Sequence, residues 1–202
     1  AGVGMYLVFS LIIGLTTGVT VVMSQYYGAK EEDKVVKTFF SSIFIALGMT
    51  ILVTVIGLLM TRPLLIVLQT PAEVLDAAVL YLRIICAGSV GTMLYNWISA
   101  VLRSLGNSVV PLIFLGISSL LNIVFDILFV AVIPMGVGGA AFATVLAQVI
   151  SGVACLLYAW KILPMLRIRR DKLKLDTYIG KQMLVYGLPA ALQMSIISIS
   201  DM

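Results

Sequence analysis

Asp126 is the residue in this sequence whose position most asks for chemistry. It sits in SSLLNIVFDILFVAVIP, with Leu, Ile, Val and Phe on both sides. An acid held deep in an apolar helix costs on the order of 2.5–3.5 kcal/mol even on the lenient insertion scale, so it marks a functional site by default. Asn122 stands one helical turn earlier, which puts both side chains on one face. At ~1.5 Å per residue, Asp126 lies about 12 Å in from the turn at Pro134, and Thr144 about 12 Å in from Gly136 along the next run. Tyr81 lies about 10 Å past the start of its own run near Val74. Carboxylate, amide and hydroxyl oxygens are hard donors that suit Na⁺, and a buried carboxyl with such neighbours can equally hold a proton. Asp126, Asn122, Thr144 and Tyr81 are therefore the expected cation-binding set, and the only metal expected is Na⁺ at Asp126. The bland alternative is that Asp126 is a satisfied interhelical hydrogen-bond partner, a role worth under ~2 kcal/mol in membranes.

Asn96, Gln148 and Gln25 are further candidates for a substrate-facing or polar network, with helix packing as the competing role. Covalent chemistry has little to work with. The chain contains no His, which excludes the common zinc sites and the Ser-His-Asp and Cys-His arrangements. Cys86 and Cys155 stand singly in long apolar runs and read as small packing residues. The run GVGGAAFAT from Gly136 lacks a preceding strand and a following GK[ST], so it is no phosphate cradle. Its small residues instead let helices approach closely. No catalytic residues and no cofactor beyond Na⁺ or H⁺ as a coupling ion are expected, and the protein is read as no enzyme.

The elements that must position these residues are membrane spans. Of 202 residues, 61% are hydrophobic and only 11% charged, whereas soluble domains carry about 25% charge. Five apolar runs are complete: about Val3–Met23, Val36–Met60, Val74–Leu102, Val110–Ile133 and Gly138–Trp160. A sixth begins near Met183 and is still apolar at Met202. Each complete run is long enough to cross a core of about 30 Å as a helix. The fold class is thus an all-α polytopic bundle, with no sign of the alternating ~10-residue strands of a barrel.

Connectors at Ser24–Lys34, Thr61–Glu73, Arg103–Ser108, Pro134–Gly136 and Lys161–Lys181 separate the runs. Eleven of the thirteen Lys and Arg fall in or beside the first, third and fifth connectors, leaving Arg62 and Arg83 on the other side. That bias places those three connectors in the cytoplasm. The basic segment RIRRDKLK accordingly reads as contact with anionic lipid and not with nucleic acid. This orientation puts Ala1 outside with no export signal before it, so a preceding span is expected in a longer parent.

The ordered pieces QYYGA (Gln25–Ala29), YLRI (Tyr81–Ile84), LRSLGN (Leu102–Asn107), NIVFD (Asn122–Asp126), GVGGAAFATVLAQ (Gly136–Gln148) and GLPAALQ (Gly187–Gln193) resemble the multidrug and toxic compound extrusion (MATE) transporters. The resemblance implies a parent with twelve helices in two lobes around a central cavity. Residues 1–160 would be helices two to six of the first lobe, 161–181 the cytoplasmic link, and 182–202 the start of the second lobe. It also implies a multi-pass protein of the cell membrane, monomeric at full length. Such a protein exports amphiphilic or cationic solutes by antiport against Na⁺ or H⁺. Asp126, Asn122 and Thr144 match the family's first-lobe cation site, with Tyr81 and Asn96 in the same network. A flippase of lipid-linked saccharides from the same superfamily and a non-transporting membrane subunit are the rival expectations.

Overall fold

A computed structural model describes residues 2–163 and 175–200 of the chain. Among them the order is α1 (Gly2–Gly28), α2 (Glu32–Val67), α3 (Ala72–Ala87), α4 (Ser89–Ser104), α5 (Val109–Asp126), a π-helical segment (Ile127–Val132), α6 (Gly136–Ile162) and α7 (Thr177–Ser200). No strand occurs among the described residues.

Local chemistry explains most of the punctuation. α4 ends in a Schellman motif: Asn107 N–H donates to Leu102 O at 2.9 Å and Gly106 N–H to Arg103 O at 3.0 Å. Gly106 adopts φ +84° there, a conformation open to glycine at no steric cost. The next side chain starts α5, because Asn107 Oδ1 accepts from Val110 N–H at 3.2 Å. Asp176 caps α7 in the same way, its Oδ1 accepting from Tyr178 N–H and Ile179 N–H at 3.0 and 3.2 Å. These bonds satisfy donors that the first helical turn leaves orphaned.

Four expected boundaries are corrected. α2 runs on through Pro63 to Val67, so most of the expected connector Thr61–Glu73 is helix and the turn is confined to its end. The expected single run Val74–Leu102 is broken at Gly88 into α3 and α4, bent by 47°. Asp126 ends the α-helical part of the fourth run, which continues as a π-helix. The connector Lys161–Lys181 also shrinks, because Lys161 is in α6 and Lys181 in α7; residues 164–174 of it lie outside the described residues, as does Asp201.

The break at Gly88 has a physical cause. Thr54 of α2 donates its hydroxyl to Cys86 O at 3.2 Å and lies 2.8 Å from Ser89 Oγ. A polar side chain from a neighbouring helix thus serves the backbone group that the bend frees, as apolar surroundings require.

α2, the α5–π pair Val109–Val132 and α6 are long and apolar enough to cross a membrane, and the bent α3–α4 pair makes a fourth crossing if counted as one. Their outward faces are hydrocarbon: Leu112, Leu120, Ile123 and Val124 of α5 are all exposed. Inside, Val19, Val22 and Met23 of α1 meet Phe40 of α2, Ile98 of α4 and Met183 of α7 in one core. α4 and α6 approach to backbone contact, since a Cβ on Gly152 would stand 3.1 Å from Tyr95 N. This close packing fixes α6, and with it Thr144, against the bundle.

Candidate functional site

The site is built on the antiparallel pair α5 and α6. Asn122 Nδ2 donates to Thr144 Oγ1 at 3.2 Å, and the Thr144 hydroxyl donates in turn to Ala140 O at 3.0 Å. Thr144 thus links the amide to the backbone of its own helix, and the orientation of Asn122 is set. Asp126 sits one turn further along α5, half-buried. Its Oδ1 is shut off from solvent and has no hydrogen-bond partner among the described residues. Among the described residues no basic side chain forms an ion pair with it; Lys34 pairs with Glu31 and Arg62 with Asp76, on exposed side chains. A buried carboxylate oxygen without a donor is expensive to keep charged. A bound cation or a proton removes that cost.

The backbone changes character at this carboxylate. From Ile127 the helix widens to π geometry, which carries an extra residue per turn and recurs at functional sites. Phe125 and Phe129 stack across the junction with ring centroids 5.9 Å apart. Phe129 also meets Phe142 of α6 edge-on at 5.4 Å, so the rings link α5, the π segment and α6 beside the junction.

The other expected residues fall elsewhere. Tyr81 packs against the apolar cluster of Leu65, Val79 and Leu82, and among the described residues no hydrogen bond joins it to Asp126, Asn122 or Thr144. Asn96 donates to Thr92 O of its own helix at 2.8 Å. It lines a cavity of about 400 Å³ between α1 and α4 together with Thr16, Thr17, Thr20 and Arg103. Gln25 is exposed near the end of α1. Gln148 lies one turn from Thr144 on α6, with its Oε1 buried and unpartnered. Among the described residues, no three His, Cys, Asp or Glu side chains come together as a metal cluster.

Sequence reasoning missed Ser151 and the threonines of α1. Ser151 is fully buried, and its Oγ has no partner among the described residues. The signal was present as the spacing Thr144, Gln148, Ser151, which keeps one helix face. The threonines gave no such signal, because Thr16, Thr17 and Thr20 each donate to a carbonyl of their own helix, a habit that hides them in apolar runs.

Comparison with known proteins identifies the family and the fold. The sequence profile of the MatE family matches residues 3–128. The "Probable multidrug resistance protein YpnP" of Bacillus subtilis is 34% identical over 194 residues, covering 95% of this chain and 42% of its own length. A solved "multidrug resistance MATE family transporter of the MOP superfamily" in its inward-facing conformation aligns with TM-score 0.87 at 24% identity, over 96% of this chain and 44% of that one. The same description in the outward-facing conformation gives TM-score 0.88 over the same shares, again at 24% identity. At that identity the likeness shows the fold. The chain spans less than half the length of these relatives. MATE family proteins are membrane transporters and not enzymes. With its profile covering more than half the sequence, and with a relative and two solved structures aligned over nearly all of it, the chain belongs to the MatE family.

Proposed function

We propose that the parent protein is a multidrug efflux transporter that exports amphiphilic or cationic small molecules across the cell membrane by antiport against Na⁺ or H⁺. Asp126 carries the coupling cation, with Asn122 and Thr144 as its polar neighbours. Tyr81 stands apart from the trio and enters the site only if α3 moves at the Gly88 break. Asn96, with Arg103 and the α1 threonines, faces a cavity where a solute's polar groups are received. Gln25 sits at the cytoplasmic mouth, and Gln148 belongs to the polar face of α6.

The observation that carries this reading is the unpartnered, buried Oδ1 of Asp126. In a static structural role the acid would have found a hydrogen-bond partner, as Asn122 and Thr144 did. Cation binding changes the free energy of the carboxylate, and it favours whichever arrangement of the protein binds the cation more tightly. Solute binding that favours the opposite arrangement gives exchange. The near-equal fit to inward- and outward-facing structures supports alternating access in which residues 1–160 move largely as one body. Residues 161–181 then link two lobes of a twelve-helix, monomeric transporter, and 182–202 open the second lobe.

The test is efflux of a fluorescent organic cation from proteoliposomes of the full-length protein under Na⁺ and H⁺ gradients imposed separately. One of the two gradients is expected to drive transport, and Asp126→Asn is expected to abolish it without loss of expression. Undiminished gradient-driven efflux by Asp126→Asn rejects the assignment.

A further inference from the structure

Asp126 lies about 12 Å in from the outer turn, so a cation that it releases to the cytoplasm still has the inner half of the bundle to cross. Polar side chains follow one another inward along the α5–α6 pair. One turn inward from the Asn122–Thr144 pair, the two antiparallel helices present Ser118 and Gln148. Ser118 is buried, and Gln148 Oε1 is sealed from solvent without a partner. About 10 Å inward from Thr144 on the same face of α6 stands Ser151, 0% exposed and likewise unpartnered. Beyond it, at the basic end of the bundle, the Tyr95 hydroxyl donates to Pro111 O at 2.8 Å.

Buried oxygens without donors are rare because each forfeits hydrogen bonds that water would give it. Here two follow one another on a single stripe that begins at the cation site. A packing role does not account for them, since Leu or Ala would fill the same space without the penalty. Oxygen acceptors in a row are what a hydrated monovalent cation, or a proton carried on water, needs to pass through hydrocarbon.

We propose that Gln148 and Ser151 of α6, with Ser118 of α5, form a relay that passes the coupling cation between Asp126 and the cytoplasmic side. The relay rests on the assignment of Asp126 as the cation carrier. Na⁺ and H⁺ share the chemistry it offers, and separate gradients tell them apart. It concerns release and not capture, because all three residues lie inward of the carboxylate.

The experiment uses the full-length protein in proteoliposomes and compares wild type, Asp126→Asn and the double variant Gln148→Met with Ser151→Ala. Efflux of a fluorescent cation is read against the concentration of driving cation on the outer side. The double variant is expected to lower the maximal rate at least tenfold while the half-saturating outer concentration stays within twofold and the thermal midpoint is unchanged. Single variants are expected to fall between, and Gln148→Asn, which keeps an amide oxygen, to recover most of the rate. A wild-type rate in the double variant overturns the relay. So does a loss of rate matched by a shift in half-saturation or a fall in thermal midpoint, since that is what a structural role would produce. If Asp126→Asn is inactive while the double variant is normal, only the relay fails; if Asp126→Asn transports normally, the carrier assignment fails and the relay with it.

Discussion

Asn122 and Thr144 are joined by one directed hydrogen bond, 3.2 Å from Nδ2 to Oγ1, and its direction is set by the Thr144 hydroxyl donating to Ala140 O. The amide oxygen of Asn122 takes no part in this bond, one turn from the Asp126 carboxylate. A hydroxyl on α6 therefore controls how an amide on α5 presents its oxygen.

Thr144→Val tests that control. It keeps the shape of the side chain and removes the acceptor, leaving the Asn122 amide unpaired. Interhelical bonds of this type in membranes are worth about 0.6 kcal/mol on average and up to about 1.7. We expect a loss of stability in that range by thermal unfolding in detergent, and a several-fold weaker dependence of efflux on the driving cation. Thr144→Ser should restore both.

Thr54 is expected to hold the bend between α3 and α4. Thr54→Val removes the donor to Cys86 O and the neighbour of Ser89 Oγ. Cys86 is 2% exposed, so its thiol reports on the hinge directly. A membrane-permeant maleimide should label Cys86 several-fold faster in the variant, in a background without Cys155. An unchanged labelling rate would mean that the bend is held by packing alone.

The Trp97–Ser42 pair ties α4 to α2, with Nε1 donating to Ser42 Oγ at 2.8 Å. Each of Trp97→Phe and Ser42→Ala should destabilise the protein, and the double variant by less than their sum. A double-mutant cycle is expected to give a coupling of about 0.5–1.5 kcal/mol, because both groups are buried and each is the other's partner.

Gly152→Val should disrupt a close approach of α4 and α6. A Cβ there already meets Tyr95 N at 3.1 Å and Leu94 Cγ at 3.3 Å, and a branched side chain forces the two helices apart. Overpacking of this kind costs about 1–3 kcal/mol. A lower unfolding temperature is expected, with weaker cation coupling because Thr144 moves with α6. Gly152→Ala should fall between wild type and valine.

Much of this could be read from residues alone, and the failures have definite causes. The end of α4 was legible in RSLGN because glycine occupies the left-handed position. The ends of α1 and α2 were not, because Lys30 and Gln69 adopt φ +58° and +52°, and neither residue type announces that conformation. Pro63 misled in the other direction, since α2 continues through it. Counting inward from the outer turn set Asp126 and Thr144 at one depth with Asn122 a turn deeper, whereas the structure bonds Thr144 to Asn122. Tyr81 did not join it, because equal depth says nothing about which way a side chain points around its helix axis, and the break at Gly88 depends on Thr54 from another helix. Gln148 was legible as a polar residue in an apolar run; Ser151 stood on the same face at helical spacing, but serine is common in membrane helices and its burial without a partner among the described residues is what sets it apart.

The widened helix that begins at Ile127 bears on how the carboxylate beside it can move. A π turn can pass back to α geometry by releasing a single residue into the adjoining loop, and the helix stays hydrogen-bonded throughout. The segment next to Asp126 thus has the geometry of an expansion joint. It can lengthen and rotate the outer end of α5 in a small discrete step, while the part that carries Asn122 stays seated on α6.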